Sequence, residues 1–278
     1  MKRYNLLKLV FVITFLQCST VNALNIIPMK IDLDVRAGEK YSGSISIIND
    51  SSIIESSIIY FEDWDKSSDG KDIFLKSENS SRSCADWFSL SPTQLLIESE
   101  SLKEVNYLIE VPEIASGTYW TFIMIEGTSR PVKPSESNDS MKVKINATFR
   151  YAVRVIINVE SKIDKESEIT DIEFLYSDVN SENAMKAQIV IKNTGDTLVN
   201  PVGFLEIRDF DGNSVERYEL PKNLYVMPYR LRNIEMTIPN NLDKGDYLAI
   251  AIIDYGGDGL IAGEARFSIP FKLDNRIE

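Results

Sequence analysis

A chain of 278 residues, 44% of them apolar, is long enough for two cores of ordinary size. It carries 42 acidic against 30 basic side chains, a formal charge of -12, two cysteines and no histidine. That excludes Ser/His/Asp and Cys/His nucleophiles, histidine-ligated metals, a cysteine zinc cluster, a disulfide framework and the basic footprint of a nucleic-acid binder.

The chain opens on Lys2, Arg3 and Lys8, continues through a short apolar run from Leu9 to Leu16, and places Val21, Asn22 and Ala23 where a signal peptidase reads. Residues 1–23 are therefore expected to be a cleaved signal peptide, because the apolar run is too short to span a bilayer as a helix. A lipoprotein anchored through Cys18 is the alternative, but Phe15, Leu16 and Gln17 stand where small residues are needed. No later stretch has 18 consecutive apolar residues. The mature chain is expected to be exported and soluble, with no membrane insertion and with Cys84 as a free thiol.

Beyond the leader the dominant period is two. Met29, Ile31, Leu33 and Val35 alternate with Lys30, Asp32 and Asp34, the pattern of a half-buried strand. β-rich runs follow at Tyr41 to Ile48, Ser57 to Trp64, Leu102 to Val111, Tyr119 to Glu126 and Met141 to Val159. After a charged stretch from Glu160 to Glu168 the pattern resumes at Ile169 to Tyr176, Ala187 to Lys192 and Val202 to Arg208. It ends with Leu231 to Ile238, Tyr247 to Asp254 and Glu264 to Ile269. Turn residues separate these runs, among them Asn49-Asp50, Asp69-Gly70, Asn193-Thr194-Gly195-Asp196 and Asp211-Gly212-Asn213. No window of helical period competes. The expected fold is all-β, with two immunoglobulin-like sandwiches in tandem over residues 24–159 and 160–278.

An internal echo supports two copies of one architecture. Pro112 is followed by Gly117, Thr118 and Tyr119 and then an apolar strand; Pro239 is followed by Gly245, Asp246 and Tyr247 and another. A tyrosine two residues after a turn glycine marks the tyrosine corner of such sandwiches, its hydroxyl bonding back to the preceding corner.

At the end of the first half, Met141, Val143, Ile145, Ala147 and Phe149 alternate with Lys142, Lys144, Asn146, Thr148 and Arg150, after a polar loop holding Pro131 and Pro134. This strand resembles the long last strand of the first domain in periplasmic pilus-assembly chaperones, a family of two immunoglobulin-like domains. The resemblance implies that the five apolar residues are donated to an incomplete subunit sandwich by strand addition. It also implies two cations gripping the subunit's terminal carboxylate between the domains. Lys30, just after Pro28, stands at the first-strand position, and Arg150 and Arg154 close the long strand in Arg-Tyr-Ala-Val-Arg, with Arg150 the better match. Two departures are visible: Glu104 stands where the family's signature strand has an aromatic, and Asp254-Tyr255-Gly256-Gly257-Asp258 matches no motif of those chaperones.

Other constellations read more simply. Asp209, Asp211, Asn213 and Glu216 have calcium-loop spacing but also fit a hairpin turn. Glu62-Asp63-Trp64-Asp65 nominates no raised-pKa acid of the kind a glycosidase needs, and Trp64, Trp87 and Trp120 read as core or half-buried aromatics. Asn49, Asn79, Asn138 and Asn146 begin Asn-x-Ser/Thr sequons. The expected function is a non-enzymatic periplasmic chaperone, without cofactor or metal, that caps subunits of a surface fibre and hands them to an outer-membrane export pore. The alternative is a secreted or cell-surface adhesive or structural binding protein with the same tandem domains.

Overall fold

A computed structural model describes residues 24–75, 80–127, 130–132, 145–160, 165–176, 184–239 and 242–269. The expected leader lies outside the described residues, as do Met141, Val143 and the sequon residues Asn79 and Asn138.

Among the described residues the first half holds twelve strands: β1 (Leu24–Ile27), β2 (Lys30–Val35), β3 (Lys40–Asn49), β4 (Glu55–Lys66), β5 (Asp72–Leu75), β6 (Phe88–Ser91), β7 (Gln94–Ile97), β8 (Ser101–Glu110), β9 (Gly117–Gly127), β10 (Arg130–Val132), β11 (Ile145–Ala147) and β12 (Arg150–Val159). One sheet runs β1-β3-β8-β6 and the facing sheet β2-β12-β9-β4, with β7 on the first part of β4 and β5 on its last part. The alternation that begins at Met29 thus belongs to a strand divided from its predecessor at Pro28 and Met29. Proline donates no ladder hydrogen bond, and here the chain changes sheets. β1 pairs antiparallel with β3, whereas β2 pairs parallel with β12. Inward-facing residues of the two sheets, including Ile45, Ile47, Val105, Ile109, Ile123, Ile125, Val153, Val155 and Ile157, form one fully buried core. Each such aliphatic side chain contributes about 1.5–3 kcal/mol.

The second half holds β13 (Ser167–Tyr176), β14 (Ala184–Asn193), β15 (Val202–Arg208), β16 (Ser214–Glu219), β17 (Leu231–Pro239), β18 (Gly245–Asp254) and β19 (Leu260–Ile269), arranged as β13-β14-β17 and β16-β15-β18-β19. Its core is separate, built on Ile189, Ile191, Leu205, Ile207, Ala249, Ala251 and Ile253. The two halves share a strand order. β9 lies between β4 and β12 as β18 lies between β15 and β19, and β3 pairs β8 as β14 pairs β17. This is the arrangement of immunoglobulin-like sandwiches. In the second copy the tyrosine corner is present: the Tyr247 hydroxyl donates to the Asp243 carbonyl at 2.8 Å. In the first copy Tyr119 instead packs its ring on Trp87, with centroids 4.4 Å apart, and the Arg82 guanidinium lies over it.

The strand expected to run unbroken from Met141 to Val159 is interrupted. β11 and β12 are separate strands with Thr148 and Phe149 between them. The Phe149 carbonyl accepts the Gly127 N–H at 3.0 Å, so pairing passes across the interruption from the β9–β12 ladder to the β10–β11 ladder. The break falls where the apolar stripe leaves the sandwich: Val153 is fully buried, Phe149 is 52% exposed.

Cys84 is wholly buried in the first core, where burial, and then the charge of Asp63, pushes its thiol well above the usual range. The thiolate is the reactive form, so Cys84 is expected to resist alkylation by iodoacetamide in native buffer and to react fully in denaturant. Peptide mass mapping would show it, and rapid native labelling would contradict the packing.

The two sandwiches touch closely. Gly117, at φ +80°, brings β9 against the second half, and a Cβ there would fall 2.2 Å from the Asp196 carbonyl oxygen. Only glycine tolerates both the backbone conformation and the approach. Thr118 N–H donates to that same carbonyl at 2.8 Å, and its hydroxyl accepts the Leu198 N–H at 2.8 Å. On the opposite side Arg230 grips Asp65 through Nε and Nη2, both 2.8 Å from Oδ2, and Asn233 N–H donates to the Ser68 carbonyl at 2.7 Å.

Candidate functional site

The outer face of the β2-β12-β9-β4 sheet carries the candidate residues, because alternation puts every second side chain there. Register fixes the rows. Ile58, Glu126 and Arg150 form one; Tyr60, Met124 and Ala152 the next; then Glu62, Phe122, Arg154 and Lys30; then Trp120, Ile156 and Asp32. Lys30 is thus the direct neighbour of Arg154 across the parallel ladder. Arg150 lies two rows away, so the register favours Arg154 over Arg150 as the companion of Lys30.

All three cations have acidic partners. Lys30 Nζ lies 2.6 Å from Asp32 Oδ2, with both side chains about half exposed. Such an exposed pair contributes about 0–1 kcal/mol. Arg150 binds Glu62 and approaches Glu126 at 3.5 Å. Glu126 also accepts the Tyr60 hydroxyl at 2.7 Å, and burial, reinforced by that hydrogen bond, pushes the Tyr60 pKa up. Arg154 lies over the Trp64 ring, 5.1 Å from its centroid, and binds Asp72 of β5. Lys66 is 2.8 Å from the other oxygen of Asp72 and stands over the Tyr225 ring of the second sandwich. The Arg150–Glu62 and Arg154–Asp72 pairings join residues 88 and 82 positions apart, and no sequence pattern marks them.

Beneath this charged layer lies an apolar one. Trp64, Trp120, Phe122, Met124 and Ile156 of the first sandwich share a cluster with Met227 of the second. Trp64 and Phe122 stack at 5.0 Å, and the Trp120 indole N–H donates to the Trp64 carbonyl at 2.6 Å. Trp64 and Trp120 are therefore buried as expected, but on the outer face of their sheet, where the second sandwich covers them, whereas Trp87 is half-buried against the first core.

The edges of the long hairpin differ along its length. From Arg154 to Val159, β12 has β9 on one side and β2 on the other. From Arg150 to Val153 it has β9 alone, and β11 has β10 alone, among the described residues. Ile145 and Ala147 lie on this single-sided stretch, and Phe149 is half exposed between its two parts. One ladder edge from residue 145 to 153 is thus unoccupied among the described residues, and it ends at Lys30, the first residue of β2.

Farther along the junction a crevice of about 1140 Å³ opens between the sandwiches, where Asp32, Asp34, Glu160 and Asp258 outnumber Arg36 and Lys165. Its acidic lining disfavours a carboxylate there. The oxygens at Asp209 and Asn213 are spent locally: Asp209 accepts the Asn213 backbone N–H at 2.8 Å and its side-chain amide at 3.0 Å, which holds the Asp209 carboxyl below its usual range. The hairpin reading of that segment fits this geometry, and no group of three or more candidate metal-ligating side chains is assembled among the described residues.

No protein-family model matches the chain, and no curated protein is similar to it in sequence. Solved structures do match over most of its length. The class 5 fimbriae chaperone CfaA is 14% identical, with 90% of this chain and 100% of that chain covered at a TM-score of 0.44. The Escherichia coli chaperone DraB is 11% identical, with 90% and 97% covered at 0.40, and the Pseudomonas aeruginosa CupB2 chaperone 11% identical, with 88% and 100% covered at 0.39.

Proposed function

We propose that the protein is a non-catalytic periplasmic chaperone for subunits of a surface fibre, with an immunoglobulin-like domain over residues 24–159, a second over 160–278, and export directed by residues 1–23. The observation that carries the reading is the single-sided ladder from 145 to 153, ending at two cations. A partner strand added there continues the line of β2 and runs parallel to β12, so its C-terminus arrives beside Lys30 and Arg154. The α-carboxylate then takes charge-assisted hydrogen bonds from both, which fixes the register while the ladder and the apolar stripe from Met141 to Phe149 supply contact area without reading sequence. Arg150, two rows upstream, lies along the path of that strand and is assigned to hold its backbone. The subunit is expected to pass onward to an export pore; neither step needs a nucleotide or a metal.

The test is co-expression with a strand-deficient fibre subunit. Each charge-assisted bond is worth about 1.5–3 kcal/mol, so losing two weakens binding roughly a hundredfold or more. Lys30→Glu combined with Arg154→Gln is therefore expected to abolish co-purification while the far-ultraviolet spectrum stays that of a β protein. A folded double variant that still carries its subunit removes the anchor assignment.

A further inference from the structure

The proposed anchor arginine already holds a carboxylate. Asp72 binds Arg154 through one oxygen and lies 2.8 Å from Lys66 Nζ through the other. One intramolecular carboxylate therefore bridges two cations in the way a bound chain terminus would. Its grip is incomplete: among the described residues, Arg154 Nε and Asp72 Oδ1 are buried and make no hydrogen bond. The acids opposite Arg150 stand on β4 and β9, which are paired on both sides, whereas Asp72 stands on β5, a strand of four residues that among the described residues is hydrogen-bonded to β4 alone. Of the carboxylates that face the two arginines, Asp72 is thus the one on the more weakly held strand.

We infer that Asp72 is a stand-in for the ligand's terminal carboxylate, occupying Arg154 in the free protein and yielding it when a partner strand arrives at Lys30. The inference rests on the anchor reading above and adds a specificity device to it. A small carboxylate in solution brings too little to unseat an intramolecular competitor. A strand that also forms the ladder along 145–153 brings enough. Asp72 consequently rejects stray anions and admits only a terminus delivered on a strand. The turn before β5 is tied to the second sandwich through Ser68 and Asn233, so release of Asp72 acts on a hairpin that both sandwiches hold.

The experiment uses the full chain and a short synthetic peptide of alternating valine and threonine, made with a free α-carboxylate and as its carboxamide. Fluorescence anisotropy is expected to give wild-type protein a clear preference for the free acid. Asp72→Asn should tighten the free acid about tenfold, the value of one charge-assisted bond no longer contested, and leave the carboxamide unchanged. It should also let acetate compete, which it does not in wild type. Glu62→Gln, which unburdens Arg150, should shift the free acid and the carboxamide together and leave the ratio between them as it was, because Arg150 is assigned to the backbone of the strand and not to its terminus. If the acid preference is present but Asp72→Asn does not tighten it, the stand-in role is overturned and the anchor survives. If neither protein separates acid from carboxamide, the anchor itself fails. Should Asp72→Asn not fold, ¹⁵N and ¹³C spectra of wild type decide: the Arg154 guanidinium nitrogens and the Asp72 carboxyl carbon must move together on peptide addition, and an Asp72 signal that stays fixed overturns the inference.

Discussion

Replacing Asn49 with alanine is expected to remove about 3 kcal/mol of stability and to lower the melting temperature of the first sandwich by roughly 10 °C. Asn49 closes β3 and is fully buried. Its amide nitrogen donates to the carbonyls of Ile53, Ile97 and Glu98 at 2.8, 3.2 and 3.0 Å, and its oxygen accepts the backbone N–H and the hydroxyl of Ser51 at 3.1 and 2.6 Å. Alanine takes all five bonds away; the Ile53 and Glu98 carbonyls keep the hydroxyls of Ser51 and Ser101, and each group left buried without a partner costs about 1–3 kcal/mol before water enters or the turn relaxes. Asn49→Asp should keep the accepted bonds, lose the donated ones and fall nearly as far. Asn193 ends β14 in the same way, donating to Thr197 and Val226 and accepting from Gly195. Asn193→Ala should therefore weaken the second sandwich by a similar amount. Calorimetry measures both; a loss below about 1 kcal/mol at Asn49 would mean that water replaces the asparagine without penalty. The Asn49 sequon is closed to glycosylation in the folded chain for the same reason.

The sequence announced the strands whose two faces meet different media. Val202 to Arg208 is read to the residue as β15, and Tyr247 to Asp254 falls inside β18, because alternation survives wherever one face is core and the other solvent. It was silent on β5 and β7. Asp72–Leu75 and Gln94–Ile97 are four-residue strands added to one long neighbour, too short for a period to register. The division of the first strand at Pro28 was written in the sequence but not its consequence, which depends on β12 lying beside Lys30. The same holds at the site. Lys30, Arg150 and Arg154 were nameable from position and charge, yet which arginine adjoins Lys30 needed the parallel register. Asp72, 82 residues from Arg154, carries no local mark of this pairing. Long-range ion pairs are set by topology, and a strand sequence records only which face it turns inward.

The tryptophan face gives the other large effect, because it joins the stability of the first sandwich to the placement of the second. Trp120 is 1% exposed, edge-on to Trp64 with centroids 6.3 Å apart, and donates its indole N–H to the Trp64 carbonyl. Trp120→Ala deletes that bond and opens a cavity under Arg154, at a cost of about 3–5 kcal/mol. Met227 reaches the same cluster from the second sandwich and is 1% exposed, so Met227→Ala is expected to cost about 2–5 kcal/mol by the same cavity argument. If the cluster is one packed unit, the second truncation removes contacts the first has already loosened, and the double variant should lose about 0.5–3 kcal/mol less than the sum. Urea unfolding of the four proteins closes the cycle. Strict additivity would mean that the two sandwiches merely abut, and the path from Met227 through Trp64 to Arg154 would then carry no coupling. A measured shortfall makes the second sandwich a structural support for the anchor row, and Met227→Ala should then also weaken peptide binding, although Met227 lies outside the proposed strand path.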